Sequence, residues 1–168
     1  MGGRIVRLTL PRQTFRALLQ QGVGIAHGTE VTVREFLQKT LGIDAAYVEE
    51  ELQTVFLDGR PIDDFEGAVV RPGAVLALSG ALPGLVGATM RRGGYYARLR
   101  EGITHRGTDT ANGGGENGVV VVKLFNRPLS DLAETMATRL LLAPADALDT
   151  LEAEAAESGW VRLAVTLA

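Results

Sequence analysis

A run of four consecutive valines, residues 119–122, constrains the fold of this chain more than any other feature. β-Branched side chains favour extended backbone, so residues 119–125 are predicted to form a strand. Residues 160–167 predict a second strand by a different signal, because apolar and polar side chains alternate along them. The chain is therefore predicted to contain a β-sheet to which its C-terminal part contributes.

The residues between these two strands are predicted to be helical. A first helix begins at Ser130 or Asp131, either of which can cap it, and runs to about Ala143. A second helix begins at Pro144 and ends at Gly159. Strands that are joined by so long a connection can be parallel neighbours. The last 50 residues thus predict a strand–helix–helix–strand unit whose two strands are adjacent and parallel.

The N-terminal residues predict a strand, a helix, a loop and a capped second helix. Apolar and polar residues alternate over 4–10, and apolar residues follow helical spacing over 12–21. Residues 23–28 are predicted to be a loop. Thr32 is followed three residues later by Glu35, which is the capping-box pattern of a helix N-terminus.

Two more strands and a hairpin are predicted in the middle of the chain. The strands cover residues 54–57 and 74–78, and the Asp58-Gly59 pair is a hairpin signal. Residues 106–118 contain no large apolar side chain. They are predicted to be a flexible glycine-rich loop between the two parts of the chain.

Three short motifs follow one another within residues 4–84. They are Thr-Val-Arg-Glu-Phe-Leu at 32–37, Thr-Val-Phe-Leu-Asp-Gly-Arg-Pro-Ile at 54–62 and Arg-Pro-Gly-Ala-Val-Leu-Ala-Leu at 71–78. In content and order they resemble sequence patterns of β-grasp, ubiquitin-like domains. The resemblance is strongest to the small sulfur carriers, which are the molybdopterin-synthase small subunit and the thiamine-pathway carrier.

This resemblance implies an α+β fold. Residues 1–105 are expected to form a β-grasp-like mixed sheet, and the flexible loop over 106–118 follows it. The C-terminal strand–helix–strand unit over 119–168 is expected to extend that sheet. We expect the unit to pack on the same core, because its strands are too apolar to stand alone.

The chain departs from the sulfur carriers at their functional end. Those carriers end in a free Gly-Gly that is adenylated and thiocarboxylated, whereas 84 residues follow the equivalent position near Pro83 and Gly84 here. A sequence similar to the Arg-Gly-Gly tail of ubiquitin does occur at Arg92, Gly93 and Gly94. One open alternative is therefore a sulfur-carrier-like precursor that is processed after Gly94.

The leading interpretation is a non-catalytic, ubiquitin-like module that binds another protein through its sheet or through residues 78–95. The candidate binding residues lie in the apolar segment after the 74–78 strand and in the basic, aromatic stretch that follows it: Leu82, Pro83, Gly84, Leu85, Arg91, Arg92, Tyr95 and Tyr96. No catalytic set, cofactor or metal is predicted. A further open alternative is a small ligand-binding protein or enzyme that uses His105 and Asp109 of the glycine-rich loop.

Composition and charge exclude several classes of function. The chain has no cysteine, which excludes disulfides, thiolate metal sites and a catalytic thiol. Its net charge of −3 argues against nucleic-acid binding, with the arginine- and tyrosine-rich stretch from Arg91 to Arg106 as a weak alternative site for RNA. Prolines and glycines interrupt the uncharged segment 72–90, so a membrane span is not expected. A cytoplasmic protein is expected, and a homo-oligomer remains open.

Overall fold

The computed structural model describes residues 4–80, 118–148 and 159–168. These residues form ten β-strands and five α-helices. Eight of the strands make one mixed sheet and the other two make a separate ladder. The predicted α+β class is confirmed.

The boundaries of the elements define the labels used below. The described strands are β1 (Ile5–Leu10), β2 (Val23–Ala26), β3 (Val31–Thr32), β4 (Thr54–Leu57), β5 (Arg60–Pro61), β6 (Val69–Val70), β7 (Val75–Ser79), β8 (Val119–Leu124), β9 (Leu141–Pro144) and β10 (Trp160–Leu167). The described helices are α1 (Arg12–Gln21), α2 (Val33–Glu35), α3 (Ala45–Glu50), α4 (Asn126–Asp131) and α5 (Ala133–Ala137). Helix α2 continues into a π-helical turn (Phe36–Thr40), and a 3-10 turn (Ala145–Ala147) follows β9.

Strands from both ends of the chain are interleaved in the large sheet. Its order is β1-β10-β9-β2-β8-β7-β4-β5, while β3 pairs with β6. Strand β8 is parallel to β7 and antiparallel to β2. The C-terminal strands therefore lie inside the sheet, between N-terminal strands, rather than at one edge.

The prediction that β8 and β10 are parallel neighbours is wrong. Strand β10 runs parallel to β1, with Ile5 opposite Arg162, and it is separated from β8 by β9 and β2. The reason lies in the connection, which contains a strand of its own. Strand β9 pairs antiparallel with β10 on one side and with β2 on the other.

The predicted helix from Ser130 or Asp131 to Ala143 is wrong at both ends. Helix α4 already begins at Asn126, so Ser130 and Asp131 are its last residues and cap no helix start. Helix α5 ends at Ala137, and β9 begins at Leu141. The segment Leu-Leu-Leu-Ala before Pro144 is continuously apolar, and periodicity does not distinguish a buried strand from a helix in such a run. Of the helix predicted after Pro144, the described residues show only the 3-10 turn.

The predicted loop over residues 23–28 begins with strand β2. Its sequence, Val-Gly-Ile-Ala, looks unlike a strand because Gly24 interrupts the apolar pattern. The glycine is required by packing: a Cβ atom there would lie 2.8 Å from Val119 Cγ1 and 2.9 Å from Leu142 Cβ. Only the tertiary neighbours of Gly24 reveal that β2 is a central strand.

Several local predictions are confirmed. Helix α1 has the predicted bounds, and Thr32 caps α2 by accepting a hydrogen bond of 3.1 Å from the N–H of Glu35. At the predicted hairpin, Asp58 and Gly59 both have positive φ, 51° and 81°, as a type I′ turn requires. These features are decided by residues that are neighbours in sequence.

One hydrophobic cluster joins the helices to both ends of the chain. Phe15 of α1 and Phe36 after α2 are fully buried in it, together with Leu78, Val122 and Leu163 from three different strands. Burial of a side chain of this size stabilises a fold by about 2 kcal/mol. The core therefore depends on residues from before 80 and after 118 alike.

Three segments, 1–3, 81–117 and 149–158, lie outside the described residues. They include most of the predicted glycine-rich loop over 106–118 and the second half of the uncharged segment 72–90. Among the residues that are described, no helix is both long enough and apolar enough to cross a membrane.

Candidate functional site

A pocket opens where the adjacent parallel strands β7 and β8 end. Leu78 lies opposite Leu124 in the register, so both strands end at the same edge of the sheet. The pocket has a volume of about 260 Å³, and its described lining residues are Gln20, Phe56, Ala77, Ser79, Phe125 and Asn126. Ligands of open sheets commonly bind outside the carboxyl ends of parallel strands. We call this site the β7–β8 pocket.

The pocket lies on one face of the sheet. Side chains alternate along a strand, so Ala77 and Ser79 point to one face and Leu78 to the other, where it joins the core. In the antiparallel register, Phe56 lies opposite Ala77 and Thr54 lies opposite Ser79. Directly opposed residues share a face. Strands β4 and β7 thus bring an aromatic ring and two hydroxyl groups to the same face.

A hydroxyl and an amide are paired at the pocket. Asn126 Nδ2 donates a hydrogen bond of 2.8 Å to Ser79 Oγ. Ser79 is 5% exposed, whereas Asn126 is exposed at the rim. This bond uses one of the two amide hydrogens and one of the two hydroxyl lone pairs. The pair therefore keeps capacity to donate and to accept further hydrogen bonds.

Asn126 has an unusual backbone conformation. Its φ is 55°, in the left-handed region that non-glycine residues rarely occupy. Asparagine is one of the few side chains that visit this region, at a cost of about 1–2 kcal/mol. The conformation turns the chain sharply between β8 and α4 and places the amide beside Ser79.

Thr54 adds a buried hydroxyl beside this pair. It is fully buried, and its Oγ1 has no hydrogen-bond partner among the described residues. Opposed residues in an antiparallel pair have Cβ atoms roughly 5 Å apart, so Thr54 lies within reach of Ser79. An unpaired buried hydroxyl costs about 1–3 kcal/mol.

Charged residues next to the pocket are paired with one another. Arg127 follows Asn126, and it lies 3.5 Å from Glu51 Oε2 and 3.4 Å from Asp131 Oδ2. The hydroxyl of Tyr47 donates a hydrogen bond of 2.8 Å to the same Asp131 oxygen. Burial, this hydrogen bond and the nearby carboxylates raise the pKa of Tyr47 well above its usual value. The described lining of the pocket itself carries no charged side chain.

A second pocket, of about 450 Å³, lies between β1 and α1. The polar side chains in its described lining are Thr9, Thr14 and Gln21, and all three are exposed. It lacks a buried polar pair of the kind found at Ser79 among the residues the structure describes. We therefore take the β7–β8 pocket as the candidate site.

The candidate site residues predicted from the sequence lie outside the described residues. They are Leu82, Pro83, Gly84, Leu85, Arg91, Arg92, Gly93, Gly94, Tyr95, Tyr96, His105 and Asp109. In the described ranges, no group of three His, Asp or Glu side chains could hold a metal ion. The ring of His27 packs edge-on against Phe36, with the ring centres 5.3 Å apart.

Sequence reasoning did not pair Ser79 with Asn126, because the two residues are 47 positions apart and share no motif. The available signals were weak. Ser79 follows a predicted strand directly, and Asn126 follows another. Only the parallel pairing of these two strands shows that both positions lie at one edge.

Comparison with protein-family models, with curated proteins and with solved structures gave no match for this chain. The candidate site therefore stands on its geometry: two parallel strand ends and the Asn126–Ser79 hydrogen bond.

Proposed function

We propose that this protein is a non-catalytic, ubiquitin-like module that binds another protein on the sheet face around the β7–β8 pocket. The observation that carries the proposal is a partly exposed apolar surface on that face. Phe56, Val75, Ala77 and Val121 lie on it, and each is only half-buried. Partly exposed apolar patches beside a pocket are typical of protein-binding surfaces.

The order of the central strands supports the ubiquitin-like part of the proposal. Strands β2-β8-β7-β4-β5 have two parallel strands in the middle, each with an antiparallel partner on its outer side. A β-grasp sheet has this mixed arrangement. In this view β8, rather than residues 4–10, takes the place of the first β-grasp strand. Val122 lies opposite Val23, so the end of β8 lies beside the start of β2. The two strands thus have the antiparallel geometry of a hairpin, although no short turn joins them in the sequence.

The chemistry of the site supports the non-catalytic part. The described lining offers hydroxyl, amide and aromatic groups, which bind and orient other groups. General acid–base catalysis near neutral pH instead needs groups such as imidazoles or carboxylates with shifted pKa values. A binding surface is thus the role that best uses the side chains at this edge of the sheet.

Site-specific photocrosslinking tests the proposal. A photoreactive phenylalanine analogue in place of Phe56 should give one discrete crosslinked species in the cell of origin, identified by intact mass. The same analogue in place of the exposed Thr166 of β10 is the matched control. Ala77→Asp, which puts a charge on the proposed surface, should abolish the species. A crosslink that survives Ala77→Asp, or equal crosslinking from position 166, would contradict the proposal.

The sulfur-carrier-like precursor remains the second candidate. This candidate requires residues 1–94 to be functional without the C-terminal strands. Residues 119–167 supply three strands of the large sheet and the fully buried Val122 and Leu163. A carrier released by cleavage after Gly94 would leave those strands behind. The intact mass of the protein from its native cell tests this candidate, which fails if only the full-length chain is found.

A further inference from the structure

We infer that the β7–β8 pocket anchors the proposed interface by taking one tyrosine side chain of the partner protein. The inference rests on the proposed function and adds the chemistry of the group that is bound. Its basis is the juxtaposition of two phenylalanine rings with a hydroxyl–amide cluster at the ends of two parallel strands.

The size of the pocket matches a single side chain. Its volume of about 260 Å³ is below the range of roughly 300–1,000 Å³ that is typical of sites for drug-sized ligands. At protein interfaces, the side chains that most often dominate binding from within such pockets are tyrosine, tryptophan and arginine. These three are therefore the candidates for the occupant.

The charges around the pocket exclude arginine. The described lining contains no carboxylate that could pair with a guanidinium. Glu51 and Asp131 lie nearby, but both already pair with Arg127. A guanidinium there could stack on the phenylalanine rings and donate to neutral oxygens, but without a carboxylate partner these contacts do not repay the loss of its hydration. An uncharged aromatic side chain does not carry this cost, and it can pack against the rings of Phe56 and Phe125.

The polar groups favour tyrosine over tryptophan and phenylalanine. Ser79 carries a hydroxyl that can donate or accept, and Asn126 carries an amide that can do both. A phenol also donates and accepts, whereas an indole only donates. A phenylalanine would cover these polar groups without any hydrogen bond to them. The phenol is thus the ring whose polar atom best complements the cluster.

Asn126 is assigned as the residue that positions the phenol. It sits at the rim, its backbone is held at φ 55°, and Ser79 fixes one side of its amide. Glycine adopts this backbone conformation without strain. The variant Asn126→Gly therefore removes the amide while it preserves the turn, which separates the side chain's role in binding from its role in folding.

Titration of the full-length, isotope-labelled protein with three probes tests the inference by NMR. The probes are the N-acetyl amides of tyrosine, phenylalanine and tryptophan. We expect the tyrosine probe to shift the signals of Ala77 and Phe125, with a Kd about three- to tenfold lower than that of the phenylalanine probe. Equal Kd values for the tyrosine and phenylalanine probes, or tighter binding of the tryptophan probe, would overturn the inference.

Two variants locate the site. Ala77→Leu fills the pocket and should abolish binding of the tyrosine probe, and Asn126→Gly should make the tyrosine and phenylalanine probes bind equally. Ala26→Leu is the matched control, because Ala26 is exposed on a neighbouring strand and does not line the pocket. Thermal unfolding checks that each variant is folded. Binding that survives Ala77→Leu would place the site elsewhere, and the comparison of probes on the unmodified chain stands even if a variant does not fold.

The outcomes separate this inference from the proposed function. A crosslink at position 56 without any preference for the tyrosine probe overturns the inference and leaves the interaction module intact. A preference for the tyrosine probe without any crosslinked protein would overturn the proposed function. It would also overturn the claim that the bound tyrosine belongs to a partner protein, and a free phenolic molecule would then be the occupant.

Discussion

Single residues connect elements that are distant in sequence. Tyr47 of α3 donates a hydrogen bond to Asp131 of α4, across 84 positions of the chain. Asn126 and Ser79 do the same across 47 positions at the β7–β8 pocket. Neither pair leaves a signature in the sequence, since each partner alone is an ordinary polar residue.

Tyr47 predicts how stability depends on pH at the alkaline end. Its pKa is raised in the folded protein, so the folded state keeps the phenol proton at pH values where the unfolded chain releases it. The contribution of Tyr47 is fully present below the unfolded pKa of about 10 and is lost as the pH rises above it. We expect the stability difference between the natural chain and Tyr47→Phe to be about 1 kcal/mol at pH 7 and to shrink above about pH 10.

Urea unfolding between pH 7 and pH 11 measures this difference. The unmodified chain and Tyr47→Phe form a matched pair, because the substitution keeps the ring and removes only the hydroxyl. Parallel stability curves for the two proteins across the whole pH range would show that Tyr47 does not titrate differently in the folded state.

At the scale of elements, local sequence signals correctly predicted the helices and turns whose conformation is set by residues close together in the sequence. The capped start of α2 at Thr32, the Asp58-Gly59 hairpin and the bounds of α1 follow from such signals. Strands β2 and β9 escaped prediction because their identity depends on packing. Gly24 weakens the local β signal of β2, and the leucine run of β9 suits a buried helix as well as a buried strand.

The packing of β2 predicts that its glycine is irreplaceable. A Cβ atom on Gly24 would lie 2.8 Å from Val119 Cγ1, 2.9 Å from Leu142 Cβ and 3.1 Å from Trp160 Cζ3. We expect Gly24→Ala to lower the free energy of unfolding by about 1–3 kcal/mol through overpacking. Gly28→Ala is the matched control: no atom lies within 4 Å of a Cβ there, and its effect should stay within about 0.5 kcal/mol. Equal stability of the two variants in urea unfolding would refute this account of β2.

At the scale of the whole molecule, strands from both ends of the chain alternate within one sheet. Strand β8 is held between β2 and β7, and β10 is held between β1 and β9. The predicted α+β class was correct, whereas the expected parallel pairing of β8 with β10 was not. The order of strands in a sheet depends on which buried surfaces fit together. The apolar and polar pattern within one strand says little about which strand lies beside it.

This interleaving predicts that no part of the chain folds without the rest. A chain that ends at Gly94 lacks β8, so β7 loses its parallel neighbour and the core loses Val122 and Leu163. We expect residues 1–94 to show no cooperative thermal transition by circular dichroism, while the full chain shows one. A cooperative, native-like transition in residues 1–94 would contradict this view of the core and would revive a free carrier cut after Gly94.

The sequence by itself determined the α+β class, five of the ten described strands, and the capped helix and hairpin, because these follow from side-chain periodicity, capping and turn chemistry within a few residues. The tertiary structure alone decided the strand order, the strand identity of β2 and β9, and the meeting of Ser79 and Asn126 at one pocket. The physical reason is that sheet order and pocket chemistry are set by contacts between residues tens of positions apart, which optimise the burial of one shared core.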